Sequence, residues 1–333
     1  MKNLIKYLFM IIILPALVLS SCKKDPLVEE RVTDPEFQTL ITYLADNNMD
    51  MSDILNGWKM DRTVLKDNLN DYYVIDIRSA GDYGKSHIPG AVNSTLAAIV
   101  NTATTNQMTD KPIVVACYTG QSAGHGLVAL RMSGLYTDAK VLIFGMSGWH
   151  TDLSASWDNN TGDAAIGNAN WVASPGSISI TNEYDDPDIT QTGTGQQILA
   201  TRLESFLAAT PDPFTANAVT ISDVLGNPGN YFLNIYWAAT DVEKYGNILG
   251  SCRINPLTIE GEEYSGLNYD KPVVTYCWTA QTSSVIAAYL DIIGYDAKTL
   301  KFGANGMIHS LLESSKWTSS IPIDGPLEGT DVK

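Results

Sequence analysis

The sequence contains one stretch twice, and this internal repeat limits the possible folds more than any other feature. Residues 111–122, which include Cys117, match residues 271–282, which include Cys277, without a gap. Shorter matches upstream and downstream follow in the same order in both halves. Repetition on this scale indicates one supersecondary unit used twice. We therefore predict two copies of the same α/β unit.

Each copy places a cysteine at the end of an apolar strand. Residues 113–116 form the apolar run before Cys117, and a polar loop containing Gly120 leads into a helical pattern that ends at Gly134. The amides of such a loop and of a helix N-terminus create a positive potential, which favours thiolate over thiol. They could also hold a terminal sulfur or an oxyanion. The stretch therefore predicts a nucleophilic cysteine.

β-rich runs alternate with helical patterns along the chain, and this alternation predicts parallel sheets in an α/β fold. In the first half the runs lie at residues 72–78, 111–116 and 141–144, after an amphipathic helix capped by Thr33 or Asp34. The predicted segments are a signal peptide (1–21), a tether (22–32), a first domain (33–158), a polar linker (159–195) and a second domain (196–325).

The amino terminus indicates export. Lys2 and Lys6 form a basic region before an apolar stretch, residues 8–19, that is too short to span a bilayer comfortably. Residues 19–22 then resemble a bacterial lipobox, and this resemblance implies cleavage before Cys22 and lipid attachment to its sulfur. The alternative is an ordinary secretory signal with a chance cysteine. We expect a protein that is lipid-anchored in the bacterial cell envelope and faces the periplasm or the surface.

Charge and cysteine content limit the partners. With 21 basic and 37 acidic residues the formal net charge is −16, which argues against nucleic acid as a partner. The sequence has no cysteine or histidine pairs at zinc-ligand spacing, so we predict no metal and no other cofactor. Cys252 is predicted to be a core thiol, and a disulfide or persulfide relay with Cys277 is the alternative.

Three motifs in combination resemble the rhodanese (sulfurtransferase) superfamily. The resemblance is strong over residues 60–157 and weaker over residues 198–317. It implies two rhodanese-like domains, each a parallel five-stranded sheet flanked by helices. The motifs are Asp76-Ile77-Arg78 with Tyr83 and residues 87–91 downstream, the loop from Cys117 to Ser122, and the segment from Gly145 to Trp149.

The resemblance also implies a reaction and a set of site residues. Cys117 would take a sulfane sulfur from a small donor, form a persulfide and pass the sulfur to a thiol or cyanide. Cys277 is a possible second nucleophile, and a partner protein could replace the small donor. Asp76, Arg78 and His87 are expected to support the site structurally. The loop residues expected to bind the donor are Tyr118, Thr119, Gly120, Gln121, Ser122 and Ala123.

Other functions fit the same stretch less well. Residues 120–124 spell the G-x-S-x-G of hydrolases, but an elbow serine directly follows its strand, whereas Ser122 should already be entering a helix. A cysteine phosphatase would need an arginine at the end of its loop, where Gly124 stands. A non-catalytic binding or sulfur- and redox-sensing module is the main alternative. The end of the loop carries no charge, which argues against thiosulfate in particular and leaves a persulfide, a neutral donor and a partner protein open.

The two copies differ where chemistry would occur. Asn234 replaces Asp76, and Tyr236 replaces Arg78, so the second copy lacks the charged pair. Ala280 replaces Gly120 at a position where we expect a positive φ, and alanine there is predicted to reshape the loop. We therefore predict that the first copy carries the activity and that the second covers or shapes the first site.

Overall fold

The computed structural model describes residues 31–173, 175, 178 and 182–332. The predicted signal peptide, with Cys22 and most of the tether, lies outside the described residues. The sequence also predicts a short strand at residues 177–180 of the polar linker, of which only residue 178 is described. Within the described part, no helix is both long enough and apolar enough to cross a bilayer.

Two parallel sheets organise the chain, one in each half. The first has the strand order β1-β5-β4-β2-β3 and the second β7-β11-β10-β8, while β6 and β9 form an antiparallel pair. These strands are β1 (Lys59–Met60), β2 (Tyr73–Asp76), β3 (Val92–Asn93), β4 (Ile113–Ala116), β5 (Lys140–Leu142), β6 (Trp171–Val172), β7 (Ala218–Val219), β8 (Phe232–Ile235), β9 (Asn247–Ile248), β10 (Val273–Tyr276) and β11 (Ala297–Leu300).

Helices cover both sheets, and the mixed α/β prediction is confirmed. The helix predicted near the start of the first domain begins at Pro35, where the Asp34 side chain accepts a hydrogen bond from the Phe37 amide. The helices of the described residues are α1 (Pro35–Asp46), α2 (Met51–Ile54), α3 (Arg62–Asp67), α4 (Ala80–Lys85), α5 (Ile99–Thr105), α6 (Ser122–Met132), α7 (Gly145–Trp149), α8 (Ala155–Asp158), α9 (Gly195–Leu207), α10 (Pro213–Ala216), α11 (Ile221–Gly226), α12 (Ala239–Tyr245), α13 (Gln281–Ile293) and α14 (Ala304–Met307).

The two halves share one hydrophobic core. Helix α6 packs against α13, and α1 packs against α9. Alternate residues of β4 point to opposite faces, so Val115 contributes to this shared core while Val114 faces the outer core of the first sheet. In the second sheet Val273 joins the same shared core. Both faces of each sheet are therefore buried, which accounts for the continuous apolar runs of the strands.

The prediction of five strands is right for the first sheet and wrong for the second. In the first sheet β3 pairs with β2 as the edge strand. In the second, the corresponding segment makes one isolated parallel bridge, between Cys252 and Asn234. The residues just before it are used elsewhere, because β9 pairs with β6. The segment therefore cannot extend along β8 as a full strand.

Two segments outside the sheets connect the halves. Part of the predicted linker packs on the second half, where the Ala165 amide donates to Met307 O at 2.9 Å. Near the carboxyl terminus the chain returns to the first half, where the Gly325 amide donates to Trp149 O at 2.9 Å and Glu328 forms an antiparallel bridge with His87. Residues from Val32 onward form one compact unit.

Candidate active site

Cys117 lies directly after β4, the central strand of the first sheet. The loop that follows turns at Gly120, whose φ is +81°, and α6 begins at Ser122. A residue with a Cβ is disfavoured at such a φ, so glycine suits this turn. Because Ser122 already belongs to the helix, it does not stand at a strand-to-helix elbow.

The carbonyl groups of the loop are held from behind. Cys117 O accepts from the Met146 amide at 2.8 Å and Tyr118 O accepts from the Ser147 amide at 3.0 Å, so the first turn of α7 backs the loop. Thr119 O accepts from the Trp157 indole at 3.1 Å. The carbonyl groups of Cys117, Tyr118 and Thr119 are therefore fixed on this side of the loop.

One loop amide points at the sulfur itself. The Gly120 N–H donates to Cys117 Sγ at 3.1 Å. This bond and the N-terminus of α6 place positive potential at the sulfur. Cys117 is only 1 % exposed, so a reactant reaches the sulfur only when the surrounding side chains move aside.

Tyr118 stands at the open edge of the loop, with 39 % of its surface exposed. Its hydroxyl donates to Asp82, which also accepts from Ser79 and from Lys85. These hydrogen bonds, that of Tyr118 first, lower the pKa of Asp82 to about 2. Asp82 is therefore ionised at any physiological pH and holds the Tyr118 ring in place.

Asp76 and Arg78 form a buried ion pair beside the loop. Arg78 Nη2 lies 2.7 Å from Asp76 Oδ2, and Arg78 Nε donates to both carboxylate oxygens. The guanidinium also donates to Ser86 O, and its carbon lies 5.8 Å from the centre of the Tyr118 ring. The pair thus ties the end of β2 to the segment after α4 and to the loop.

His87 lies in the segment after α4. Its ring stacks on Tyr83 with centroids 3.9 Å apart, and its Nδ1 lies 2.8 Å from Tyr83 O. These contacts, with the bridge to Glu328, join α4 to the carboxyl-terminal segment.

A cavity of about 650 Å³ adjoins the loop, and both halves line it. Four of the six predicted donor-binding residues contribute to its wall, while Ala123 is buried in the shared core. Residues from the second half complete the wall, which agrees with the prediction that this half shapes the first site. The loop residues of the wall are Tyr118, Thr119, Gln121 and Ser122, and the second-half residues are Asp212, Phe214, Thr215, Lys301 and Phe302.

Sequence analysis missed these second-half residues. Lys301 aligns with Ile143 of the first copy, so the repeat alignment could have singled it out as a charged residue in an apolar position. The alignment could not have shown which half its side chain faces. That depends on how α6 and α13 pack.

Two glutamines link the halves reciprocally. Gln121 Oε1 accepts from the Phe302 amide at 3.2 Å, and Gln281 Oε1 accepts from the Phe144 amide at 2.8 Å. Both phenylalanines have positive φ, at +62° and +63° respectively. Each loop is therefore held partly by the opposite half.

A buried polar group lies beneath the first loop. The Ser284 hydroxyl donates to Gln121 O at 2.6 Å, so His125 Nδ1, 2.8 Å from the same hydroxyl oxygen, must donate to it. His125 is completely buried, and this burial lowers its pKa to about 3. Its imidazole is therefore neutral near pH 7.

The second cysteine loop keeps the turn but not the surroundings. Ala280 has a φ of +58°, so the predicted reshaping of the loop does not extend to this turn of the backbone. Ala280 is fully buried, and the structure around it holds this otherwise unfavourable conformation. Cys277 Sγ accepts from the Ser283 amide at 3.4 Å. Trp278, the counterpart of Tyr118, stacks on Trp237 with centroids 4.2 Å apart.

The three cysteines of the described residues are free thiols, so the alternative of a Cys252–Cys277 disulfide is not realised. Burial raises the pKa of Cys252. This thiol is therefore less ionised than an ordinary cysteine at neutral pH.

Residues 61–152 match the family model of the rhodanese-like domain. No curated protein matches the chain. A rhodanese-related protein from Thermoplasma volcanium is 19% identical, with a TM-score of 0.24 over 26% of this chain and 85% of that one. A rhodanese-like domain protein from Staphylococcus aureus is 20% identical, with a TM-score of 0.24 over 26% of this chain and 86% of that one. A protein from Bacillus halodurans is 24% identical, with a TM-score of 0.26 over 29% of this chain and 73% of that one.

The family match covers the segment that contains the buried ion pair, the cysteine loop and α7. The chain is thus an α/β protein with a rhodanese-like domain at residues 61–152. The family model matches residues 61–152 and does not match the second half.

Proposed function

We propose that Cys117 is the nucleophile of a sulfurtransferase that moves a sulfane sulfur to a thiol or cyanide acceptor. The observation that carries this proposal is the Gly120 amide, which donates to Cys117 Sγ at 3.1 Å at the end of the central strand. Sulfur transfer needs a thiolate and hydrogen-bond donors that stabilise the persulfide. It needs no separate general base, because the thiolate itself attacks.

The reaction has two steps. The Cys117 thiolate attacks the terminal sulfur of the donor, and the bond between that sulfur and the rest of the donor breaks as the leaving group takes the electron pair. An acceptor anion, such as cyanide, then attacks the outer sulfur of the persulfide. The sulfur–sulfur bond breaks, thiocyanate leaves and the thiolate is restored.

The mass of the intact protein tests this proposal. After exposure to thiosulfate or inorganic polysulfide, we expect a gain of one sulfur atom that maps to the peptide containing Cys117. Cyanide should remove this sulfur and release thiocyanate. A gain that maps to Cys252 instead, or no gain with any donor, would contradict the proposal.

A binding or sulfur- and redox-sensing module is the second candidate. The burial of Cys117, at 1 % exposure, favours it, because a sensor thiol can react slowly whereas an enzyme must turn over. Persulfide that forms on Cys117 but is not passed to cyanide or a thiol would favour this candidate over the enzyme.

We further propose that the second half is a diverged rhodanese-like copy with a structural role. The stacked Trp237 and Trp278 at its cysteine, and the lack of a charged pair at Asn234 and Tyr236, support this. Tandem transfer from one cysteine to the other is not required by this arrangement.

Membrane anchoring through lipid on Cys22 is also a proposal, which rests on the lipobox-like residues 19–22. The Cys22→Ser variant should lose labelling by palmitate and leave the membrane fraction. A variant that keeps both the label and the membrane association would show that the lipobox assignment is wrong.

A further inference from the structure

We infer that a groove on the first half binds an extended, proline-containing peptide segment of a partner protein, with apolar and basic side chains. The groove has a volume of about 1050 Å³ and lies at the end of α6 that is opposite to the Cys117 loop. Three observations carry this inference: the lining of the groove, its charge, and the segment that covers the corresponding surface of the second half. The inference does not depend on sulfur transfer.

Apolar side chains line the groove along its length. Leu199, Leu203 and Leu207 are spaced by four residues and therefore share one face of α9. Leu135, which is 64 % exposed, extends this apolar surface beyond the end of α6. A shared apolar surface that remains open to solvent marks an interaction site.

The length of the groove suits a short extended peptide. Its lining residues on α9 run from Gln196 to Ala208, which corresponds to about 18 Å of helix at 1.5 Å per residue. An extended segment of about five residues has the same length, since each residue advances by about 3.3 Å.

The chain itself covers the corresponding surface of the second half. Gly134 follows α6, and Gly294 follows α13 at the same distance from its cysteine. A Cβ on Gly294 would lie 2.9 Å from Pro187 Cβ and 3.5 Å from Ile189 Cγ1, so these two linker residues pack against the end of α13. Both are buried, while Asp188 between them is exposed, and this alternation is typical of an extended segment.

Backbone hydrogen bonds hold this linker segment in place. The Tyr184 amide donates to Ser265 O at 2.8 Å, and the Asp186 amide donates to Val32 O at 3.0 Å. The second half therefore shows which occupant this kind of helix end accepts. It is an extended stretch whose proline and branched apolar side chain, two positions apart, face the helix end.

On the first half no described segment takes this place. Among the described residues only Met49 Cε would lie within 4 Å of a Cβ on Gly134, at 3.6 Å, and the glycine is exposed. The connection from α6 to β5 is also longer than the one from α13 to β11. Leu135 and Thr137 of this longer connection line the groove. The first copy thus presents an open surface where the second copy presents a filled one.

The charge of the groove favours basic over acidic segments. Among the described residues that line it, Glu204 is the only charged one, and it is exposed. The formal net charge of the whole chain, −16, also attracts a basic partner and repels an acidic one. A second copy of this chain is a poor source of the segment, because its own Pro187 and Ile189 are buried and are flanked by aspartates.

Uncharged polar groups of the lining suit a peptide backbone. Asn101 of α5 and Gln196 of α9 are exposed, and their amide groups can both donate and accept hydrogen bonds. A proline in the bound segment has a fixed φ, which reduces the conformational entropy that the segment loses on binding.

Single substitutions can fill or alter the groove. Ala200→Trp places a large side chain in it from an exposed position of α9. Thr201→Trp places the same side chain at an exposed position of the same helix that does not line the groove, and is the matched control. Leu135→Ser removes exposed apolar surface without added bulk, and Glu204→Gln removes the charge. Thermal unfolding checks that each variant is folded.

Synthetic peptides derived from residues 184–191 are the probes. The aspartate peptide has this sequence unchanged, and the lysine peptide has all its aspartates replaced by lysine. The serine peptide is the lysine peptide with Pro187→Ser and Ile189→Ser. Fluorescence anisotropy measures their binding to the purified protein. We expect the lysine peptide to bind about 5-fold more tightly than the aspartate peptide, and at least about 10-fold more tightly than the serine peptide.

The protein variants locate the binding. Ala200→Trp should weaken binding of the lysine peptide at least about 10-fold, and Leu135→Ser about 3-fold, because apolar contacts are lost. Thr201→Trp should stay within about 2-fold of wild type. Glu204→Gln should lower the preference for the lysine peptide over the aspartate peptide by about 3-fold.

Three results would overturn the inference. They are the absence of saturable binding of the lysine peptide to the folded wild-type protein, equal binding to Ala200→Trp and Thr201→Trp, and equal binding of the lysine and serine peptides. The neutral dye N-phenyl-1-naphthylamine provides a further check. Dye that binds the wild-type protein but not Ala200→Trp, and that the lysine peptide does not displace, would identify a site for small apolar molecules instead.

Discussion

The two cysteine loops share a backbone and differ in what surrounds them. Each loop follows an interior strand of a parallel sheet, β4 or β10. Each also turns through a residue of positive φ, Gly120 or Ala280. In the first half the neighbouring side chains are a buried ion pair and a tyrosine anchored to a carboxylate. In the second they are two stacked indoles. The loop conformation alone therefore does not decide which cysteine reacts.

The contacts of the two sulfurs show the same contrast. Cys117 Sγ accepts from the Gly120 amide inside the loop at 3.1 Å, whereas Cys277 Sγ accepts from the Ser283 amide within the helix at 3.4 Å. The cavity that is lined by charged and hydroxyl side chains adjoins the first loop. Variants made in pairs, one in each half, can test whether these differences separate an active site from a structural copy.

The largest difference should come from the cysteines themselves. Cys117→Ala should lower sulfur transfer by about 10³-fold or more, because the nucleophile is lost. Cys277→Ala should leave the rate within about 2-fold of wild type. Steady-state thiocyanate formation measures both. Activity that survives in Cys117→Ala and disappears in Cys277→Ala would reverse the comparison.

The buried polar pair should give the next largest effect, on stability. Asp76→Asn leaves Arg78 buried without its carboxylate partner and should cost about 3–5 kcal/mol in the free energy of unfolding. Asn234→Asp in the second half buries a carboxylate beside Tyr236 and should also destabilise strongly, which urea unfolding measures. Asp71→Asn, at an exposed position, is the control, with a change below about 0.5 kcal/mol. An Asp76→Asn protein as stable as the control would show that the pair is not needed.

The glycines behind the loops test whether the same backbone support serves both halves. A Cβ on Gly145 would lie 2.4 Å from Cys117 O, and one on Gly303 even closer to Cys277 O. Each alanine variant should lose about 2–3 kcal/mol, since backbone atoms must shift. Sulfur transfer per folded molecule should fall for Gly145→Ala only. Gly84→Ala, with open space around it, is the control; equal losses of activity in both variants would mean that the two loops act together.

His125 should give the smallest effect, and its counterpart is Val285. Burial lowers the pKa of His125 to about 3, against about 6.5 in the unfolded chain. Between these two pKa values the unfolded state therefore binds more protons than the folded state. The stability that comes from burying a neutral imidazole is fully present above pH 6.5 and is lost as the pH falls. We expect a loss of about 1.4 kcal/mol per pH unit below 6.5.

Replacing His125 by valine should remove this part of the pH dependence. Urea unfolding of wild type and His125→Val at pH 8.0, 6.5 and 5.5 measures it. Parallel pH profiles for the two proteins would show that His125 is not held neutral by its burial.

Local signals in the sequence predicted the elements that position the sulfur. The apolar run before Cys117, the cap at Asp34 and the glycine at the turn each depend on neighbours within a few residues, which the sequence displays directly. The mixed α/β fold followed from these signals, whereas the five strands of the first sheet were implied by the family resemblance. The prediction failed where a distant segment of the chain provides a pairing partner. Strand β9 pairs with β6, and the second sheet has four strands instead of five.

The sequence by itself thus determined the repeat, the strand–cysteine–helix unit and the asymmetry of charge between its copies. The tertiary structure decided which residues meet at the cavity, because the packing of α6 against α13 brings Gln121 to Phe302 and Lys301 to the first loop. It also decided the burial of Cys117. Contacts between residues so distant in sequence depend on how two helical faces fit together, and no local pattern encodes that fit.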